Sequence, residues 1–206
     1  MLAAIGLIPT TCWSAVFWDE ATQGDLSGNR SAPTTLTLSL GGNDLFATTQ
    51  GGDLEYVTIR VPEGQLLSSL FLRSYAGNDG TAFIGIQTGT TFTESPSSPN
   101  VANLLGWTHF GTGQGNVGAD ILPQIGSGAG AQGFTPPLPA DSYTLWIQQL
   151  GTPTTYQLGF QVTPVPEPES ASICAAALLL AAWLIRSKRR RGDACFGEAS
   201  SMIRRI

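Results

Sequence analysis

Between residues 16 and 163 the chain has no cysteine, no lysine and a single histidine, His109. The missing thiols exclude a disulfide staple there, so this interval must be held by its core alone, which about 150 residues can supply. They also exclude a zinc centre of the usual kind, because one imidazole cannot complete a tetrahedral shell of nitrogen and sulfur ligands. The scarcity of cations excludes another class. Eleven Asp and Glu face only Arg30, Arg60 and Arg73 over the same interval, a balance of −8, and a surface of that sign repels nucleic acid. Beyond residue 163 the sign reverses, with seven basic residues against four acidic ones.

What is present falls into distinct stretches. Residues 1–15, MLAAIGLIPTTCWSA, read as the hydrophobic part of a secretory signal ending near Ala15, followed by the polar stretch WDEATQGDLSGN. No Lys or Arg precedes the apolar part, and Trp13 is bulky for a position two before the cleavage point. The competing reading is a buried first strand or an uncleaved anchor. Residues 171–185 carry no charge, and 15 residues at about 1.5 Å each reach roughly 22 Å, against ~30 Å of hydrocarbon. Flanking Arg186 and Lys188 can bury their stems, Trp183 suits an interface, and six Leu and Ile contribute about −3 kcal/mol to insertion. The stretch is therefore predicted to span a membrane, in contact with lipid. Arg186, Lys188, Arg189, Arg190 and Arg191 then hold the tail, residues 186–206, in the cytoplasm and the body outside.

Residues 164–170 complete this pattern. The order Val165-Pro166-Glu167-Pro168, a short apolar helix, then Arg189-Arg190-Arg191 resembles the C-terminal sorting signal of PEP-CTERM proteins. The resemblance covers residues 164 to 191 and implies that the chain is the substrate of an exosortase, an integral-membrane cysteine protease, in a bacterium that secretes exopolysaccharide. It names Pro166, Glu167 and Pro168 as the sorting motif. Prolines at 166 and 168 favour an extended segment with few backbone donors, a form that a protease cleft can grip. The chain departs from the family by continuing past the arginines with GDACFGEASSMIRRI.

The body, residues 16–163, reads as all-β. Tyr156, Leu158, Phe160 and Val162 alternate with polar or small residues, the period of a strand with one buried face. The same period runs through Tyr143, Leu145 and Ile147, through Leu36, Leu38 and Leu40, through Val57, Ile59 and Val61, through Leu70 and Leu72, and through Ala82, Ile84 and Ile86. Gly151-Thr152-Pro153 is expected to turn a hairpin between the last two strands. Seven to nine short strands separated by Gly, Pro, Asn and Asp predict one β-sandwich or jelly-roll-like domain, with a signal segment before it and a transmembrane helix after it. The stretch from Asp53 to Gly64, with Asp141-Ser142-Tyr143-Thr144-Leu145, is similar to bacterial pre-peptidase C-terminal domains. That resemblance implies a non-catalytic β-sandwich.

Chemistry is sparse along this body. Gly113 to Gly118 satisfies a GxGxxG pattern, but the strand before it and the helix after it that a dinucleotide site needs are absent, so the glycine-rich interval 111–133 reads as a surface loop. His109 has no marked serine and acid with which to form a triad. Calcium is the stronger possibility: Asp44 in Gly41-Gly42-Asn43-Asp44, Asp53 in Gly51-Gly52-Asp53 and Asp79 in Gly77-Asn78-Asp79-Gly80 offer oxygen ligands on tight turns. The competing explanation is plain turn chemistry. The reading is an exported, non-enzymatic envelope or matrix protein of structural or adhesive role. A calcium-dependent carbohydrate-binding module with Trp107 and Trp146 as exposed platforms is the alternative, and a secreted hydrolase using His109 is the third.

Overall fold

The alternation around Leu158 is strand β9 (Thr154–Pro164), which lies inside a four-stranded sheet of order β1-β3-β9-β5. Its neighbours there are β3 (Gly41–Thr49) and β5 (Gln65–Gly77), both antiparallel to it, and β1 (Ala15–Asp19) adds in parallel to the outer edge of β3. The computed structural model describes residues 15–166. The expected signal segment, apart from Ala15, therefore lies outside the described residues. So do Glu167, Pro168, the apolar span and the basic cluster. No helix among the described residues is long and apolar enough to cross a membrane.

The second sheet has five strands in the order β2-β4-β8-β6-β7, namely β2 (Thr34–Thr37), β4 (Leu54–Val61), β8 (Asp141–Gln148), β6 (Ala82–Thr88) and β7 (Gly106–Phe110). The two sheets close on one another as a sandwich. Leu45, Leu67, Leu72, Leu158 and Phe160 from the first meet Val57, Ile59, Ile84, Leu145 and Ile147 from the second in one core, all buried. Each such side chain contributes about 1.5–3 kcal/mol when fully removed from water. The inward positions expected from alternation are thus buried in β4, β5, β6, β8 and β9.

Three expectations are corrected. Gly151-Thr152-Pro153 does not turn a hairpin: β8 and β9 belong to different sheets, so the link crosses from one layer to the other. Leu40 is 58 % exposed, because β2 ends at Thr37 and the chain turns before β3 starts at Gly41. Interval 111–133 is more than a surface loop. It contains α2 (Leu122–Gly126), whose Leu122 and Ile125 are buried together with the preceding Ile121. Pro123 falls in the first turn of α2, where a missing N–H breaks no bond.

The same interval also shields an edge. Ile121 N donates to Leu70 O (2.8 Å) and Leu72 N donates to Ala119 O (3.0 Å), so the outer side of the long strand β5 is paired rather than bare. On the outer face of this sheet, Arg73 Nε donates to Asp44 Oδ1 at 2.7 Å. The guanidinium lies across Gly159, where a Cβ would collide with it.

Candidate functional site

Direct cross-strand partners point to the same side of a sheet, and one row of the second sheet reads Tyr56 on β4, Trp146 on β8, Gly85 on β6 and Trp107 on β7. The adjacent row is Leu54, Gln148, Phe83 and His109. Because Val57, Leu145 and Ile84 face the core, both rows face outward. The result is an aromatic surface: Phe83 lies 4.7 Å from Trp146 and 6.0 Å from Trp107, ring centre to ring centre, and His109 meets Trp107 edge-on at 5.6 Å. Gly85 makes room for it, since a Cβ there would press on the Phe83 ring at 3.1 Å.

The segment between β6 and β7 folds back over part of this surface. Phe92 is buried against Tyr56 (5.8 Å) and Trp146 (5.6 Å), forming with Leu104 a second, smaller core outside the sandwich. Gln87 anchors the segment, accepting from Thr93 N at 2.7 Å and donating to Asn103 O at 2.9 Å. Trp146 is therefore 3 % exposed and forms part of a floor rather than an exposed platform, whereas Trp107 is half-buried and held by its Nε1–H bond to Ala129 O (3.0 Å).

Where the cover stops, a cavity of about 470 Å³ opens, within the ~300–1,000 Å³ range of small-molecule sites. Phe83, Trp107, His109 and Trp146 line one side, with Pro96, Pro99 and Val101 contributed by the folded-back segment. Leu150, 78 % exposed, stands at the lining with Gln148, Gln149 and Asp79. Trp146 Nε1 and Gln149 Nε2 are buried donors with no partner among the described residues, an arrangement that ordinarily costs about 1–3 kcal/mol each. Asp79 Oδ2 and Gln149 Nε2 both close on Gly151, where a Cβ would lie 2.7 and 3.2 Å from them. Among the described residues, the lining offers His109 one carboxylate and no serine.

A second cluster is built of acids. Asp19 caps the short helix α1 (Glu20–Gln23), accepting from Ala21 N at 3.0 Å. Glu20 then accepts from Leu26 N (3.0 Å) and Thr48 N (2.7 Å), which pins the N-terminal segment to β3. Carboxylate oxygens of Glu20, Asp25 and Glu55 lie within 4.8 Å of one another, a spread that suits oxygen ligands around a hard cation at about 2.3–2.6 Å. Glu55 is 0 % exposed; its Oε2 accepts from Tyr156 Oη and its Oε1 has no partner among the described residues. Burial pushes its pKa up to about 9; the Tyr156 bond opposes that rise, and Glu20, Asp53 and Asp25 add to it. Burial also raises Glu20 and Asp53.

The calcium candidates do not gather. Asp44 is within strand β3 rather than on a turn, because Gly42 and Asn43 pair with Gln161 and Phe160, and its carboxylate is taken by Arg73. Asp79 lines the aromatic cavity. Asp53 stays near the acid cluster, where it acts on Glu20 and Glu55 through its charge. Glu20, Asp25 and Glu55 were not singled out from sequence, although one signal existed: Glu55 has the same strand parity as the core residues Val57, Ile59 and Val61.

No family model matches the chain, and no curated protein matches it. Among solved structures it is similar to the crystal structure of Aeromonas hydrophila PliG, a periplasmic lysozyme inhibitor of g-type lysozyme, at 16 % identity and a TM-score of 0.34, over 63 % of this chain and 96 % of that one. A likeness at that level carries no argument about ligand or role.

Proposed function

We propose that the chain is an exported, non-catalytic adhesive module that holds extracellular polysaccharide in the aromatic cavity beside the segment joining β6 to β7. The Val165–Pro168 segment, the apolar stretch and the arginines deliver it to the membrane for processing by an exosortase-type protease. One observation carries the ligand reading: a cavity of about 470 Å³ walled by the rings of Phe83, Trp107 and Trp146, with Asp79 and Gln148 at its lining. A sugar ring suits that lining. Its axial C–H groups suit the negative face of an indole, and its hydroxyl oxygens accept hydrogen bonds. Apolar Leu150 and Val101 extend the contact to the mouth.

The test is titration of the purified protein with neutral oligosaccharides and with exopolysaccharide, followed by tryptophan fluorescence and calorimetry. Trp107→Ala is expected to weaken binding roughly 30-fold, the scale of a central aromatic anchor. It is also expected to lower Tm, because the ring packing and the bond to Ala129 O are lost, so binding is compared at a temperature where circular dichroism shows both proteins folded. Absence of saturable binding to any glycan, or wild-type affinity in the Trp107→Ala protein, defeats the reading.

Calcium dependence is a second reading, favoured by the Glu20, Asp25 and Glu55 oxygens. None of the three lines the aromatic cavity, so a cation there acts on the stability of the module rather than as a ligand to the sugar.

A further inference from the structure

We infer that the aromatic cavity selects neutral glycans and rejects uronate, sulfated or phosphorylated ones. This rests on the reading of the cavity as a glycan site and deepens it by naming the ligand class. Three observations converge on it. First, among the described residues the lining contains the carboxylate of Asp79 and no Lys or Arg. Second, the arginines of the body are engaged or placed elsewhere: Arg30 donates to the carbonyls of Phe92 and Thr93, Arg73 pairs with Asp44, and Arg60 lies on β4 beside a different cavity with Glu63 and Asp141. Among the described residues, no guanidinium therefore reaches the cavity to form the bidentate pair by which acidic groups are held.

Third, the polar capacity of the lining suits hydroxyl groups. The polar side chains of the lining include Asp79, an acceptor, and Gln148, whose amide both donates and accepts. Asp79 Oδ1 accepts from Thr81 N at 3.2 Å, and the carboxylate keeps acceptor capacity for a ligand hydroxyl. A sugar hydroxyl is both donor and acceptor and satisfies such a pair at once. A ligand carboxylate or phosphate is only an acceptor there and meets Asp79 as a like charge. Two unit charges about 6 Å apart in a half-buried site repel by enough to reduce affinity at least tenfold. The acidity of the body works the same way at longer range and is screened by salt.

The test compares oligosaccharides of equal length and linkage that differ only at C6, hexose against hexuronate, by calorimetry at pH 8. The His109→Gln protein is measured alongside, so that in one arm no lining group can be a cation. Neutral oligomers are expected to bind at least about tenfold tighter than uronates. Asp79→Asn should narrow that ratio and Gln148→Glu should widen it, each with circular dichroism and a melting curve to establish folding. Equal affinity for both series, or preference for uronates, overturns the selectivity while leaving glycan binding standing. Binding of neither series overturns both.

Discussion

Tyr156 on β9 donates its hydroxyl to Oε2 of Glu55 on β4, a buried bond that ties one sheet of the sandwich to the other. Both side chains are almost wholly removed from water. Burial and the adjoining Glu55 carboxyl hold the Tyr156 hydroxyl well above its usual pKa, so it stays a donor.

The bond sets a pH dependence. Glu55 moves from an ordinary value of 4.5 to about 9 on folding, so the folded state keeps a proton that the unfolded chain releases. The stability that Glu55 contributes is therefore complete below pH 4.5 and declines as pH rises toward 9. Raised Glu20 and Asp53 act in the same direction. In chelator, Tm is expected to fall between pH 5 and 9, and Glu55→Gln, which still accepts from Tyr156, should flatten the slope and exceed the parent in stability at pH 8. A parent Tm that is level or rising across this window rules out a buried protonated carboxyl.

A cation reverses that sign by stabilising ionised Glu55 beside Glu20 and Asp25. Millimolar calcium at pH 8 is expected to raise Tm by several degrees relative to chelator, as for a site of about 0.1–1 mM affinity. Glu55→Gln and Asp25→Asn should each abolish the response. Differential scanning calorimetry with and without calcium decides it, and an unresponsive wild type removes the metal from consideration.

Phe92 fastens the cover over the outer aromatic surface through Tyr56 and Trp146. Phe92→Ala is expected to cost about 3–5 kcal/mol in urea unfolding and to weaken glycan binding, because Pro96, Pro99 and Val101 lose their placement. Phe92→Leu should retain most of both. Loss of stability with unchanged glycan affinity would separate this segment from the site.

Processing of the tail is read by intact mass. Protein from culture fluid or envelope is expected to end between residues 165 and 170, immediately beyond the point where Val165 N makes its bond to Gly64 O (2.9 Å) and the chain leaves the sheet. Full-length protein confined to the cytosol contradicts export.

Much of the interior was legible along the chain. Val57, Ile59 and Val61, or Leu158 and Phe160, face the core because a strand places every second side chain on one side. Glu55 shares that parity, so its burial followed from the same rule. The partners of each strand were less accessible. Gly151-Thr152-Pro153 looks the same whether the chain folds back on its neighbour or crosses to another layer, since turn residues specify a change of direction and not what lies beyond it. Gly41-Gly42-Asn43-Asp44 has the composition of a turn, yet pairing with β9 holds it in a strand.

Sequence by itself determined the all-β character, the inward residues, the acidic body and the basic tail, because parity, composition and charge are properties of neighbouring positions. Tertiary structure alone decided that outward-facing Trp146 is covered, that Phe92 meets Tyr56 from 36 residues away, and that Glu20 and Asp25 stand over Glu55. Those meetings depend on which distant segments fill the space above a sheet, and that choice is made by packing over the whole domain.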